Sequence, residues 1–166
     1  MSVLLTAVYL SAIHKEMTKQ QEKRPVVLMV PVNLRKFFRS NSMLNFFGWI
    51  EPGHRFGVGD DSLETIVNEV RQFFKEELTE EKMAFHMKGL IALTRHPILR
   101  FIPLLVKNIG ISTGAKYAGR NVTAIFSNMS VVTMPTEYEG YIEDFGVYTS
   151  TPKMELCMCS FLDQIT

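Results

Sequence analysis

The chain contains 166 residues, of which 46% are hydrophobic and 21% are charged. This length and composition are typical of one globular domain and exclude a disordered tail. Eighteen Lys and Arg residues nearly balance 17 Asp and Glu residues, and the formal net charge is +1. We therefore expect no general electrostatic affinity for nucleic acid or for an anionic membrane surface. Residues 1–166 are predicted to form a single domain.

Residues 2–20 are predicted to form the first helix, which is apolar on nearly every side in its first half. The apolar run at residues 3–13 is shorter than the roughly 20 residues of a membrane span. It also lacks the basic start and the cleavage site of a signal peptide. We interpret it as a helix buried against a sheet; a membrane anchor is the weaker alternative.

Two strands are predicted to follow this helix. Residues 26–34 (VVLMVPVNL) are almost continuously apolar and rich in β-branched side chains, which is typical of a strand buried on both faces. Residues 43–50 are rich in aromatic side chains and are a second strand candidate. The Pro52-Gly53 pair then predicts a turn.

The middle of the chain is predicted to be helical. Asp61 and Glu64 have the spacing of a capping box, and apolar residues then recur on one helical face up to Phe74. Thr79 is predicted to cap a second helix, which ends before Pro97. Residues 98–109 are predicted to form a third, with a kink or a restart at Pro103.

The last third of the chain has the short apolar runs of strands, at residues 122–134, 141–149 and 154–165. Helix, two strands, two or three helices and three strands together predict the α+β class, as a two-layer sandwich of a mixed β-sheet with helices packed on one face. The two cysteines, Cys157 and Cys159, have the spacing of neither a disulfide framework nor a CxxC motif. We interpret them as free thiols of a cytoplasmic protein.

Motifs for known chemistries are few. The four histidines have no acid or second histidine at a ligand-like helical spacing, so no metal site is expected. The sequence contains no GxSxG elbow and no Walker loop. Gly53, Gly57 and Gly59 do not match the GxGxxG pattern, and we interpret residues 53–59 as a flexible loop.

Two polar stretches are unusual for a plain core. Asn33 and Arg35 follow directly on the buried strand, where buried polar groups would need partners. The alternative is that Arg35 simply emerges into solvent. Ser127 and Asn128 lie inside a predicted strand, a place that disfavours Asn. They either line a cavity or mark an edge strand or a bulge.

At these stretches the sequence resembles the CoA-dependent acyltransferase superfamily, which includes chloramphenicol acetyltransferase, the plant BAHD acyltransferases and the condensation domains of peptide synthetases. It is most similar to the alcohol acetyltransferase-like branch, through PVNLR at residues 31–35 and the NFF segment at residues 45–47. Ser127-Asn128 and the PTEY turn at residues 135–138 resemble a later SN-x-G strand and its turn. Ser130 stands where that pattern has glycine. The resemblance covers nearly the whole chain.

The resemblance implies the C-terminal lobe of the chloramphenicol acetyltransferase-like fold, as a fragment of a longer chain. The superfamily's catalytic HHxxxDG motif, whose second histidine is the general base, belongs to the other lobe, and no HxxxD occurs among these 166 residues. No catalytic residue is therefore assigned. By resemblance, Arg35 pairs with the aspartate of that motif across the interface, and the substrate tunnel is lined by Asn33, Asn45, Ser127 and Asn128.

Three functions follow as hypotheses. The first is one lobe of an enzyme that moves an acyl group from acetyl-CoA or another acyl-CoA, as co-substrate, to an alcohol, with no covalently bound cofactor and no activity alone. The second is a non-enzymatic binding or scaffold domain of the same fold. The third, from the residues alone, is an α+β ligand-binding domain. For the first, the partner is the missing N-terminal catalytic lobe, and self-association through an exposed apolar face is expected.

Overall fold

A computed structural model describes residues 1–41, 43, 45–95, 102–161 and 164–165. Two apolar stretches near the start of the chain form its first helix and its first long strand. The helices are α1 (Ser2–Glu16), α2 (Leu63–Glu77), α3 (Glu80–Arg95), α4 (Leu104–Ala118) and the single-turn α5 (Thr136–Glu139). The strands are β1 (Val26–Asn33), β2 (Phe47–Ile50), β3 (Gly53–His54), β4 (Ala124–Val131), β5 (Met154–Phe161) and β6 (Gln164–Ile165).

These strands form one mixed sheet. Its order is β2-β1-β4-β5-β6, and β3 pairs with the start of β1. The three long strands β1, β4 and β5 are parallel, whereas β2 and β3 run antiparallel to β1 and β6 runs antiparallel to β5. The carboxyl ends of the long strands therefore lie at the same edge of the sheet.

The core lies between this sheet and α1. The burial of β1 alternates, with Val26, Leu28 and Val30 buried on the face that meets the helix. Leu10 of α1 and Phe126 of β4 are fully buried in the same cluster. Helix α2 packs beside α1 and contributes its own buried residues to the cluster. Burying each of these large apolar side chains stabilises the fold by about 1.5–3 kcal/mol. This packing holds the sheet against α1 and so sets where the sheet edges lie.

Several predicted elements are confirmed with changed boundaries. Helix α1 ends four residues earlier than predicted, and the second strand is shorter, at Phe47–Ile50. The predicted cap of α2 was wrong by one residue: Ser62 is the N-cap, and its hydroxyl accepts from the backbone N–H of Thr65. Asp61 is instead bound to neighbouring groups, as shown below. Thr79 caps α3 through the backbone N–H of Lys82, as predicted.

The region after α3 departs further from prediction. Residues 96–101, which hold Pro97 and the start of the predicted helix at 98–109, lie outside the described residues. Pro103 is the N-cap of α4, which begins at Leu104 and continues to Ala118. Proline lacks a backbone N–H, and no intrahelical hydrogen bond is lost when it stands at the start of a helix. This explains why Pro103 is tolerated at the start of α4.

The strand predicted at residues 141–149 is wrong, because this segment makes no strand in the structure. Phe145 and Thr149 of this segment contact β5 without pairing with it, whereas Tyr141 and Tyr148 remain exposed. The ring of Phe145 packs edge-on against Phe161, with 4.9 Å between centroids, and the Phe145 carbonyl lies 3.7 Å from the Cys159 Sγ. An apolar, aromatic-rich segment can bury side chains in this way without a ladder of backbone hydrogen bonds, so its composition resembled a strand.

The structure combines helices with one mixed sheet, as predicted, and is compatible with the α+β class. The single helical layer is only partly observed: α1 and α2 pack as expected, but α4 leaves most of its apolar side chains exposed. Cys157 and Cys159 are free thiols. Among the described residues, no helix combines the length and the apolar character needed to cross a bilayer.

Candidate functional site

The two segments of the PVNLR and NFF pair lie side by side at the carboxyl end of β1. Asn33 faces Phe47 in the antiparallel register, and the Leu34 N–H donates to the Phe46 carbonyl across 3.2 Å. The Asn33 side chain accepts from the backbone N–H of Arg35 at 3.0 Å and so caps the 3-10 turn Leu34–Lys36. The polar end of the strand therefore forms a tight turn that directs the chain away from the sheet.

Asn33, Arg35 and Asn45 are all exposed at this turn. Asn45 lies two residues before β2, in the segment that runs beside the turn. The exposure of Arg35 agrees with the alternative that its side chain emerges into solvent where the strand ends.

Ser127 and Asn128 lie near the carboxyl end of β4 and point to opposite faces of the sheet. Asn128 is half-buried on the side of α1, where its Nδ2 donates to the Ser2 Oγ at 3.1 Å. Its Oδ1 accepts from the Ser130 N–H at 2.8 Å. Ser130 has a φ of 64°, and the register with β5 shifts between Asn128 and Val131. The bulge alternative for this stretch is therefore observed, and Asn128 is part of its hydrogen bonding.

Because β1 and β4 are adjacent and parallel, the structure brings both polar stretches to one sheet edge, although about ninety residues separate them in the chain. Asn33, Arg35 and Asn45 lie at the β1–β2 side of this edge, and Ser127 and Asn128 lie one strand away. Ligands of sheets with parallel strands usually bind at this edge.

An apolar groove of about 660 Å³ opens beside the first of these groups. It lies between the outer strand β2, the end of α2 and α3. Leu34 and Phe47 from the two motif segments line it together. The other lining residues are Gly48, Trp49, Ile50, Glu51, Phe73, Glu77, Met83, Phe85, His86, Met87 and Gly89. A cleft of this volume and character is suited to a small organic molecule.

A second, wider groove of about 1240 Å³ lies near the end of α1 and the start of β4. Arg24, Arg120 and Glu16 line it, together with Tyr9. The Tyr9 hydroxyl is buried without a hydrogen-bond partner among the described residues. Burial and the nearby carboxylate of Glu155 raise the pKa of this hydroxyl, so Tyr9 stays a neutral phenol at physiological pH.

Sequence reasoning missed a histidine cluster. His54 is buried, with its Nδ1 2.6 Å from the Glu69 Oε2 and its Nε2 3.2 Å from the Asp61 Oδ1. The His54 ring also packs edge-on against the ring of Phe56. The Phe56 ring in turn stacks on the His14 ring, with 4.0 Å between the ring centroids. The flexible loop predicted at residues 53–59 is therefore wrong in part, since it contains β3 and a buried, doubly bonded side chain.

The acidic residues before α2 complete this cluster. The backbone N–H of Gly57 and the His54 ring both bond Asp61 and lower the pKa of its carboxyl. The hydroxyls of Thr65 and Ser62 lower the pKa of the neighbouring Asp60 in the same way. The residues of the His54 cluster lie within fifteen positions of one another but belong to different elements. The one sequence signal for the cluster is the alternation of His54 with Phe56, which predicts that both side chains lie on the buried side.

This cluster does not provide a free general base, because both ring nitrogens of His54 already face carboxylates. The described residues contain no group of three His, Cys, Asp or Glu side chains arranged for a metal ion.

No family model, no curated protein and no solved structure matches the chain.

Proposed function

We propose that this chain is the C-terminal, substrate-binding lobe of a CoA-dependent acyltransferase of the chloramphenicol acetyltransferase-like fold. In this role it receives an acyl group donor such as acetyl-CoA and an alcohol acceptor, and the general base comes from a separate lobe that carries the HHxxxDG motif. The chain itself holds four histidines and no HxxxD. It shapes the site and does not deprotonate the acceptor.

One observation carries the proposal: the segments that resemble the superfamily meet at one sheet edge. Residues 31–35 and 45–47 are hydrogen-bonded neighbours, and Ser127 and Asn128 lie near the carboxyl end of the adjacent parallel strand. At this edge the carboxyl ends of parallel strands usually receive ligands. The apolar groove lined by Leu34 and Phe47 gives an alcohol's hydrocarbon part a place to bind.

Ser130 gives a second point of support. The resembled pattern has glycine at this position, and Ser130 adopts a φ of 64°, in the left-handed region that glycine enters without strain. Position 130 thus has the left-handed backbone conformation that favours glycine, although the residue there is serine.

The exposed apolar residues of α4 are also what an absent covering lobe would leave. Val106, Ile109 and Ile111 are all well exposed, which is unusual for one helix of a finished domain. A docked lobe would remove such surface from water.

The test measures release of the CoA thiol from acetyl-CoA in the presence of a panel of aliphatic alcohols, together with calorimetric binding of acetyl-CoA. We expect the chain alone to bind acetyl-CoA without turnover. Addition of a separately produced N-terminal lobe with the HHxxxDG motif is expected to produce ester. Turnover by the chain alone at an enzyme-like rate would contradict the missing base.

Arg35 supplies the matched variants. In the two-lobe assay we expect Arg35→Ala to lower ester formation at least tenfold, because its guanidinium fork would pair with the aspartate of the other lobe. Arg39→Ala, an exposed arginine of the same region, should leave the rate unchanged. If acetyl-CoA neither binds nor reacts in either arrangement, the non-enzymatic scaffold becomes the better interpretation.

A further inference from the structure

The groove beside β2 has an aromatic rim. Phe47, Trp49 and Phe85 line it and remain 56%, 38% and 75% exposed, so their rings are accessible to a bound molecule. Leu34, Ile50 and Met83 are buried at its base. The groove thus combines an apolar floor with exposed aromatic rings at its mouth.

The charged groups at this rim are mainly acidic. The indole N–H of Trp49 donates to the Glu51 Oε1 at 3.0 Å, so a carboxylate is fixed at the edge of an aromatic ring. Glu77 also lines the groove, but its charge is offset by an ion pair with Lys82. His86 lines the groove as well. Glu51 therefore places a carboxylate beside the Trp49 ring at the mouth of the groove.

From these contacts we infer that the groove binds an organic cation with an apolar body, of the alkylammonium class. Aromatic faces attract a cation through their ring quadrupoles, and a carboxylate at the ring edge adds a direct charge interaction. The apolar floor accepts the hydrocarbon part of the ligand, and a volume of about 660 Å³ is sufficient for a molecule of this size.

The charge of the rim decides between ligand classes. An anionic ligand of the same shape would place its charge against Glu51, and a neutral alcohol would use the apolar floor alone. A cation uses both the aromatic rings and the carboxylate beside them. The inference does not depend on the proposed acyl transfer, because it concerns recognition in the groove and no reaction.

Trp49 makes the test direct, since it is the single tryptophan of the chain. We would titrate the protein with hexyltrimethylammonium and follow Trp49 fluorescence, with calorimetry as a second readout. 1-Hexanol and hexanoate are the neutral and anionic probes of equal chain length. We expect the cation to bind at least ten times more tightly than 1-hexanol and hexanoate to bind most weakly.

Two variants assign the effect to the rim. Glu51→Gln keeps the shape and removes the charge, so it should weaken cation binding about tenfold and leave 1-hexanol unchanged. Phe85→Ala should weaken the cation severalfold, and it affects a side chain too exposed for the fold to depend on it. Glu76→Gln is the matched control, because Glu76 is an exposed carboxylate of α2 outside the groove lining.

Equal binding of 1-hexanol and the cation would overturn the inference while leaving the proposed alcohol-accepting lobe intact. Cation binding that survives Glu51→Gln unchanged, or the lack of any titration at millimolar cation, would also overturn it. Conversely, cation binding without acyl transfer in the two-lobe assay would retain the inference and contradict the proposed function.

Discussion

His54 Nδ1 lies 2.6 Å from Glu69 Oε2, which ties the short strand β3 to the middle of α2. The other ring nitrogen faces Asp61, in the segment that leads into the same helix. Ionised carboxylates only accept hydrogen bonds, so a ring nitrogen that carries a proton donates to the carboxylate it faces. The buried ring of His54 therefore links three segments of the chain.

We predict that His54→Ala lowers the free energy of unfolding by about 1–3 kcal/mol, because two charge-assisted hydrogen bonds are lost at a buried ring. Denaturant unfolding followed by circular dichroism measures this change. His86→Ala, at an exposed histidine of α3, is the control and should change stability by less than about 0.5 kcal/mol. Equal losses in the two variants would show that the His54 contacts contribute nothing specific.

The aspartates before α2 predict an acid-sensitive region. Both Asp60 and Asp61 have a folded pKa below the ordinary value of 3.8, so their bonds stabilise the fold above that pH. This contribution is lost as the pH falls below 3.8 and through the lowered pKa of each carboxyl. Stability measured from pH 6 to pH 2 should fall at the acid end.

Asp60→Asn combined with Asp61→Asn should reduce the slope of that acid-end loss. Glu76→Gln, at an exposed carboxylate of α2, should leave the slope as it is. An unchanged slope in the double variant would mean that other carboxylates control the acid response.

The sequence predicted what depends on local periodicity. The long strands β1 and β4, the amphipathic α2 and the cap at Thr79 all follow from patterns of apolar and polar residues within one element. The His54 cluster could not be predicted in this way. Its bonds join residues of β3, a loop and α2, and their meeting depends on how the helix packs against the sheet.

The misassigned strand at residues 141–149 has the same cause. Phe145 contributes to burial through contact with Phe161 of β5, and apolar content alone does not distinguish such a covering segment from a paired strand. For the site residues, too, the sequence indicated the position and the structure was needed to show the contact. Asn33 was found because it ends an apolar run, but only the structure shows that it caps the turn at Arg35.

The exposed face of α4 predicts self-association of the isolated chain. Val106 and Ile109 lie one turn apart on the same face of α4 and are 58% and 68% exposed, and burying such side chains against a second molecule is favourable. Sedimentation velocity over a range of concentrations should show a weight-average mass that rises with concentration. Val106→Lys with Ile109→Lys should suppress the rise, because these two side chains share one face of α4. Asn108→Lys, at an exposed position on the other side of the same helix, should not. A monomer at all concentrations would contradict the prediction.

Substitution of Ser130 by glycine is predicted to raise the free energy of unfolding. Its φ of 64° is unfavourable for a residue with a Cβ atom and costs on the order of 1–3 kcal/mol. Glycine removes that cost but adds freedom to the unfolded chain, which offsets about 0.4–1 kcal/mol. Ser130→Gly should therefore raise the free energy of unfolding by about 1 kcal/mol in denaturant titrations. The backbone N–H of residue 130 would still donate to the Asn128 side chain, so the bulge is retained.

Ser127→Gly separates this effect from a general effect of glycine in β4. Ser127 is in register with Cys157 and has no positive φ, so glycine there should lower stability by about 0.5–1 kcal/mol. Opposite signs for the two variants would establish the left-handed backbone at position 130, the position where the resembled acyltransferase pattern has glycine. A loss of stability in both would show that Ser130 does not adopt this conformation in solution, which would remove one support of the proposed function and leave the shared sheet edge as the other.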